Sequence, residues 1–412
     1  MKSPKCIKRN YKSGFSAEVI FKPHFNQKFF GIIVDFGSSD PQKLPGTAHF
    51  LEHKLFDKKD GDISKQFEQL GADVNAFTSY NETMFYCSGV NNDLKLVKLL
   101  FRLVGEPHFN QKNVQAEKPI IEQELAMYQD NPNWLISNTL MQEMFADSNL
   151  GIDVAGSKES IEKISAQELM KVYRANYVAS RMHFVLCGDF SEYQSRNLLR
   201  EIGKLQAKYL NEKQNPLKIK IETGSLRDKV LNSENNSNLF GLGLYLPNFK
   251  KVLSSLDLAQ IMLEIMLESK LSVMSPWFEK VKSQGLLNNP LQMTVNYTRE
   301  GNFATIYGIS NESEKVISAI KTELAKPLDV SRRTYLDKFL NLKKKEWLAQ
   351  TVRAQNDISY LSIETAEESL NHENIFENIE KLQGITLEEF ITLNSELIKD
   401  FNVCSVRLEK GI

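Results

Sequence analysis

The segment GTAHFLEHKLF, residues 46–56, holds two histidines four positions apart and a glutamate beside the second one. Its apolar spacing predicts a helix over 47–57, in which residues i and i+4 lie on one face. His49 and His53 can therefore reach the same ion, and two imidazoles suit Zn²⁺. Glu52 lies too close along the chain to be the natural third ligand, and it is placed instead to accept a proton from a water on the metal.

A third ligand is expected from the acidic segment EKPIIEQELAMYQD, residues 117–130. A catalytic zinc site takes three protein ligands and keeps one position open. Glu117 and Glu124 are two helical turns apart and share a face, whereas Glu122 points elsewhere. One of the pair would bind the metal, and the other would orient a histidine through a hydrogen bond. The spacing alone leaves open which does which.

Composition limits the remaining functions. The chain has 412 residues, of which 42% are hydrophobic and 25% charged, so two or more globular domains are expected. Its net charge of -1 provides no basic surplus for a dedicated nucleic-acid binder. We expect no membrane span and no secretory signal, since no apolar run is long enough and the basic start lacks an apolar core. Four cysteines are scattered singly, and we expect the last three to be buried thiols of a cytoplasmic protein: Cys6, Cys87, Cys187 and Cys404.

Strand-like and helix-like segments alternate along the chain. The periodicity predicts strands at 17–22, 29–36, 73–79, 83–90 and 182–188. It predicts helices at 47–57, 62–70, 94–104, 111–145 with an interruption at 131–133, 158–176 and 191–203. The Lys343-Lys344-Lys345 run is expected to mark a solvated helix face.

The second half repeats the pattern of the first. Residues 257–309 resemble 43–90 in order: one helix, a second helix ending near Gly285, and a hairpin of strands at 291–298 and 302–309. We therefore predict two copies of one α/β domain, at 1–205 and 226–412, with a polar connection at 206–225. Residues 250–310 contain no histidine, so only the first copy is expected to hold a metal.

Three segments in order resemble the pitrilysin/insulinase family of zinc metallopeptidases, the inverzincins with an H-x-x-E-H motif. They are GTAHFLEHKLF, GADVNAFTSYNETMFYCSG at 71–89, and EKPIIEQELAMYQDNP at 117–132. The resemblance is to the short, two-domain bacterial branch related to processing peptidases. It implies an α+β fold, in which two homologous α/β sandwich domains form one half of a clamshell.

The resemblance also implies roles for individual residues. His49, His53 and Glu124 would bind one Zn²⁺ per chain, Glu52 would be the general base, and Glu117 would be the carboxylate behind a ligand. A strand beside the metal would pair with the substrate backbone. Its residues would be Asn75, Ala76, Phe77 and Thr78.

The function that follows is a cytoplasmic zinc endopeptidase acting on peptides or small unfolded proteins, with precursor-peptide processing as one subclass. Since the family encloses its substrate between two halves, the chain would need a second half, from its own copy or from a related partner, and we favour the partner. Two alternatives stay open: a non-catalytic subunit used for binding or assembly, and a metal-dependent hydrolase of some other amide. The N-A-F-T-S segment disfavours the latter, because strand pairing recognises an extended peptide.

Overall fold

The computed structural model describes nine stretches of the chain. These are residues 4–129, 131–146, 148–211, 225–233, 238–246, 255–298, 301–371, 374–397 and 401–410. Most of the predicted connection at 206–225 lies outside the described residues, and its first part belongs to a helix that ends at Tyr209.

Strands and helices alternate as the sequence indicates. The strands are β1 Cys6–Asn10, β2 Ser16–Phe21, β3 Lys28–Val34, β4 Asp57–Lys58, β5 Gly61–Asp62, β6 Asp73–Thr78, β7 Thr83–Gly89, β8 Met182–Gly188, β9 Lys229–Ser233, β10 Leu239–Tyr245, β11 Gln292–Tyr297, β12 Asn302–Ile309 and β13 Asn402–Lys410. The α-helices are α1 Thr47–Leu55, α2 Ser64–Glu68, α3 Asp93–Gly105, α4 Gln111–Gln129, α5 Pro132–Phe145, α6 Lys158–Lys163, α7 Ala166–Asn176, α8 Glu192–Tyr209, α9 Leu256–Leu271, α10 Pro276–Ser283, α11 Ser313–Leu324, α12 Arg333–Ala354, α13 Ile358–Asn371, α14 Ile375–Gly384 and α15 Leu387–Leu397.

The first compact unit is built on a sheet with the order β1-β2-β8-β3-β7-β6. Strand β3 pairs antiparallel with both β7 and β8, and its six residues from Phe29 to Val34 are all buried. Such continuous burial is expected for a strand covered on both faces. Helices α1, α3 and α8 contribute to the core on one face, and α13 packs over Ile33 and Val185 on the other. Strand β6 is an outer strand of this sheet.

The second compact unit contains a sheet with the order β11-β12-β10-β13-β9. Helix α5 packs on β10 and β13 in this unit. Two glycines in β10 permit this close packing of the helix on the strand. A Cβ at Gly241 would lie 2.7 Å from the side chains of Ile136 and Leu140. A Cβ at Gly243 would lie 2.7 Å from the Met144 sulfur. The strand is therefore shaped for this helix.

The compact units are not continuous in sequence. The first consists of residues 1–125, 153–219 and 350–376, and the second of residues 126–152, 220–349 and 377–412. Helix α5 thus belongs to the second unit, although it lies in the first half of the chain, and α13 belongs to the first unit. The predicted domain boundaries, 1–205 and 226–412, describe two homologous halves of the sequence and not the compact units. They remain a prediction.

Two sequence-based expectations are wrong. The helix predicted at 158–176 is two helices, because Ser165 caps α7 by accepting the backbone N–H of Glu168. The lysine run is not a solvated face: Lys343 is 9% and Lys344 8% exposed. The expected burial of Cys87, Cys187 and Cys404 is confirmed. Within the described residues, no helix has the length and apolar character needed to cross a membrane.

Candidate metal centre

Helix α1 carries the two histidines, and its first turn is fixed by neighbours. Gly46 precedes the helix with φ 81°, and a Cβ there would lie 2.5 Å from the backbone oxygen of Ala155, so only glycine fits. The buried Gln42 side chain accepts the backbone N–H of Ala48 at 3.0 Å, where a helix otherwise leaves a donor unpaired. These contacts set the direction in which α1 presents His49 and His53.

Three predicted ligands meet in the first unit. The Nε2 atoms of His49 and His53 each lie 3.8 Å from the same oxygen, Oε2 of Glu124. The potential ligand atoms of the three residues lie within 4.8 Å of one another. The imidazole rings of His49 and His53 have centroids 4.6 Å apart. The structure therefore brings α1 and α4 together so that the two motif histidines face Glu124, one of the two glutamates that the sequence offers as a third ligand.

The other carboxylate of α4 lies behind His53. Glu117 Oε1 is 3.1 Å from His53 Nδ1, so this nitrogen can donate to the carboxylate while Nε2 faces Glu124. The Lys54 ammonium donates to the second oxygen of Glu117 at 3.1 Å and to Asp57 at 3.1 Å. The Lys54 side chain is only 5% exposed. Nothing in the sequence singles out Lys54, because a lysine beside a motif carries no signal of burial.

Glu52 is held from the sheet side. Its side chain is 9% exposed, and the Thr78 hydroxyl donates to its Oε2 at 2.6 Å. Thr78 is the last residue of β6, which α1 contacts. The helix and the outer strand therefore place the predicted base together beside the two histidines.

The charges of the site follow from burial and from its carboxylates. Burial, together with the neighbouring His53, lowers the pKa of His49 to about 4, so the ring is neutral near pH 7. Burial raises the pKa of Glu52, although the hydrogen bond from Thr78 opposes the shift. Burial by itself would raise the pKa of Glu117. The hydrogen bond to His53 and the charge of Lys54 outweigh this effect, so the pKa of Glu117 is lowered.

The predicted substrate strand has mixed surroundings. Asn75 is exposed, and its Oδ1 accepts the backbone N–H of Ala76 at 2.8 Å. Ala76 and Phe77 are half-buried, and the Phe77 ring lies 6.4 Å from that of Tyr86. Because β6 is an outer strand, one of its edges is not paired within the sheet. Their roles toward a substrate remain predictions.

The residues fit a zinc ion. Tetrahedral bonds of about 2.0–2.2 Å separate neighbouring ligand atoms by roughly 3.4 Å, and the two 3.8 Å separations from Glu124 are close to this. These distances exceed those of hydrogen bonds, so the nitrogens face Glu124 without bonding to it. His49 Nδ1 is buried with no hydrogen-bond partner among the described residues, which leaves Nε2 as the atom that faces the cluster. Two imidazoles and a carboxylate are a donor set that zinc commonly takes in catalytic sites.

Two sequence models from one peptidase family match the chain. The model described as Insulinase (Peptidase family M16) matches residues 22–158, which include α1 and α4. The model described as Peptidase M16 inactive domain matches residues 163–328. The two stretches together span most of the chain.

A curated relative and two solved structures match over nearly the whole chain. The chain is 27% identical to the uncharacterized zinc protease YmfH of Bacillus subtilis (strain 168), over 96% of this chain and 94% of the relative. It is similar to an M16-like peptidase from Alicyclobacillus acidocaldarius, with a TM-score of 0.86, 22% identity and 99% coverage of both chains. It is also similar to pitrilysin, with a TM-score of 0.74 and 16% identity, over 98% of this chain and 45% of the pitrilysin chain.

The structural likenesses confirm the predicted α+β fold class. The matching sequence models and the zinc-protease relative give the same family that the three sequence segments indicate. The chain therefore belongs to the insulinase family of peptidases, family M16.

Proposed function

We propose that this protein is a zinc endopeptidase that hydrolyses peptides or small unfolded proteins, with precursor-peptide processing as one subclass. The observation that carries the proposal is that the ligand atoms of His49, His53 and Glu124 lie close together around one point. Glu52 directly precedes His53 in the same helix. His49 and His53 would hold the ion through Nε2, and Glu124 through Oε2. A bound zinc ion supplies Lewis acidity, which acidifies a water and polarises a carbonyl.

The chain's own groups account for proton transfer. Glu52 would accept a proton from the attacking water on Oε1, since Oε2 already accepts from Thr78. It would then return this proton to the departing amine nitrogen as the peptide bond breaks. Glu117 keeps the proton of His53 on Nδ1, which leaves Nε2 free to coordinate.

An extended peptide is the substrate that the neighbouring strand suits best. The outer strand β6 ends at Thr78, beside Glu52, so a peptide added along its open edge would pass the cluster. Backbone pairing along β6 would select extended chains and would leave side-chain preference weak. Asn75, exposed on this strand, is proposed to bind a carbonyl or amide of the substrate.

The test uses quenched-fluorescence peptide mixtures and metal analysis on purified protein. We expect Glu52→Gln to lower kcat by about 10²–10⁴ while one zinc per chain is retained, because the base is lost and the ligands remain. Glu124→Gln should instead lose zinc. Glu122→Gln is the matched control on the same helix, since Glu122 lies near Lys158, away from the histidines.

Three results would contradict the proposal. Wild type that holds no zinc under non-chelating conditions would remove the metal centre, and a Glu52→Gln variant with full activity would remove the assigned base. Wild type that holds zinc but cuts no peptide, alone or with a related half-sized chain, would favour a binding subunit of the same fold.

We also propose that the chain acts as a dimer, with its own copy or with a related half. The support is coverage, since the region matched in pitrilysin is 45% of that chain, whereas the match to YmfH covers 94% of that relative. Light scattering of the purified chain should give the mass of two chains if it pairs with itself. A monomer that becomes active only with a partner would assign the heterodimer, and an active monomer would contradict both.

A cytoplasmic location is proposed from the thiols. Cys87, Cys187 and Cys404 are free and buried, and Cys6 is free and exposed. Scattered reduced cysteines are usual in compartments where thiols are kept reduced.

A further inference from the structure

The side chain of Thr78 contacts the predicted general base. Thr78 Oγ1 lies 2.6 Å from Oε2 of Glu52, a short separation of the kind seen when a hydroxyl donates to a carboxylate. Within the described part of the chain, no other side chain donates a hydrogen bond to Glu52. This hydroxyl therefore is the contact that restrains the rotation of the carboxylate.

The proton of Thr78 has a preferred acceptor. The Thr83 hydroxyl lies 3.5 Å from that of Thr78 and donates its own proton to the Phe36 carbonyl at 2.9 Å, so toward Thr78 it can act only as an acceptor, over a much longer separation than the 2.6 Å to Glu52. Thr83 is fully buried and pairs with Thr78 across β6 and β7. The hairpin register therefore places the Thr78 hydroxyl beside Glu52, and the shorter distance and the charge of the carboxylate favour donation to Glu52.

We propose that Thr78 is a positioning residue for catalysis, which holds Oε2 of Glu52 so that Oε1 stays available to accept the proton of the attacking water. The inference rests on the proposed peptidase function and deepens it. The hydroxyl proton stays on Thr78 throughout, and the transferred proton passes from the water to Oε1 and then to the departing amine. Thr78 can still bind substrate through its backbone at the open edge of β6.

Steady-state kinetics on two substitutions test this role. Thr78→Val keeps the β-branched shape but removes the hydroxyl, and Thr78→Ser keeps the hydroxyl. We expect Thr78→Val to lower kcat by about 10- to 100-fold, the range of a hydrogen bond to a charged group, with KM and zinc content unchanged. Thr78→Ser should retain most of kcat. Thr83→Val is the matched control, since it removes a neighbouring hydroxyl that does not touch Glu52.

A second readout does not depend on activity. In metal-stripped protein, the midpoint of thermal unfolding is compared for Thr78→Val, Glu52→Ala and the double variant. If the two side chains bond to each other, the shift caused by Thr78→Val becomes smaller once Glu52 is alanine. Additive shifts would show that the contact does not exist in solution.

The outcomes separate this inference from the function on which it rests. A Thr78→Val enzyme with wild-type kcat, or one changed only in KM, would overturn the positioning role while leaving the peptidase intact. An equal loss of kcat in Thr83→Val would also overturn it, because the effect would then come from the hairpin. If wild type cuts no peptide, the proposed function and with it the catalytic role fail, whereas the unfolding comparison still decides whether Thr78 holds Glu52.

Discussion

Lys54 shows how one residue beside a motif can support it. It directly follows His53, yet its side chain turns inward and lies between Glu117 and Asp57 at 3.1 Å from each. Asn113 also donates to Asp57, at 2.8 Å. A row of hydrogen bonds thus runs from His53 through Glu117 and Lys54 to Asp57, and it holds the carboxylate behind the histidine in a fixed orientation.

Replacing Lys54 by methionine should destabilise the protein even without metal. The substitution keeps the apolar stem but leaves Glu117, 15% exposed, without its cation. We expect the free energy of unfolding of metal-stripped protein to fall by about 1–3 kcal/mol, the cost of leaving a charged group unsatisfied. Chemical denaturation measures it, with the exposed Lys65→Met as control. Unchanged stability would show that Lys54 and Glu117 do not interact in solution.

The sequence anticipates the metal-binding residues better than the residues that support them. The spacing of His49 and His53, and of Glu117 and Glu124, follows from the helix repeat, so short-range geometry is enough to predict which side chains share a face. The contacts of Thr78 with Glu52 and of Lys54 with Glu117 join residues 26 and 63 positions apart. They depend on how α1 packs against β6 and α4, which no local pattern encodes.

At the scale of elements, buried lysines close several helices at their carboxyl ends. Lys58 donates to the backbone oxygen of Leu103, in the last turn of α3, at 2.7 Å and to that of Glu106, just after the helix, at 2.8 Å. Lys118 does so at α6, Lys270 at α11 and Lys344 at α14. The last carbonyls of a helix lack partners within it and attract positive charge. This explains why Lys344 is buried where the sequence predicts a solvated face.

Helices α9 and α12 occupy the places in the second unit that α1 and α4 occupy in the first. Each pair follows the same order of elements: α1 contacts β6 and α7, and α9 contacts β11 and α15. Lys343 on α12 forms an ion pair with Glu268 on α9 at 2.5 Å. A lysine ammonium therefore supplies the positive charge between these helices in the second unit, where residues 250–310 contain no histidine. Glu264, one turn before Glu268, is left mostly buried with Gln260 at 3.4 Å.

Glu264 should make the stability depend on pH. Burial raises the pKa of its carboxyl to about 7, above the ordinary value of 4.5, so the folded state binds more protons in this window. The free energy of unfolding should therefore fall as pH rises from about 4.5 through 7. Glu264→Gln should remove this loss and stabilise the protein at pH 8 by on the order of 3 kcal/mol, with little change at pH 4.5.

Denaturation curves at both pH values measure the effect, and the exposed Glu396→Gln serves as control. Equal stability of Glu264→Gln and wild type at pH 8 would contradict the inward burial of this carboxyl.

Most elements are predictable from apolar spacing, and the exceptions have local causes. The break of the long helix around Asn131-Pro132-Asn133 is confirmed, since Asn131 caps α5 by accepting the backbone N–H of Asn133. The same kind of cap at Ser165 divides the helix predicted at 158–176, and Ser165 and Glu168 have the spacing of a helix start. Strand β1 is mostly exposed and carries no apolar alternation, so the sequence pattern does not predict it.

On the scale of the molecule, the repeat of elements is visible in the sequence. The sequence does not show that one helix from each half belongs to the compact unit formed mainly by the other half. Apart from β4 and β5, the order of elements from β2 to β8 recurs among the described residues from β9 to β13, as the shared pattern predicts. In this order α5 corresponds to α13, and each belongs to the compact unit formed mainly by the other half. Periodicity identifies both helices as apolar segments, but it cannot tell which sheet each of them covers.

The exchange of α5 and α13 bears on how such a chain can be divided. A break anywhere between 212 and 224 would yield two fragments of nearly equal size, and each would carry a helix whose sheet lies in the other fragment. Each fragment would leave exposed the part of its sheet that the helix of its counterpart covers, Ile33 and Val185 among the residues of the first sheet.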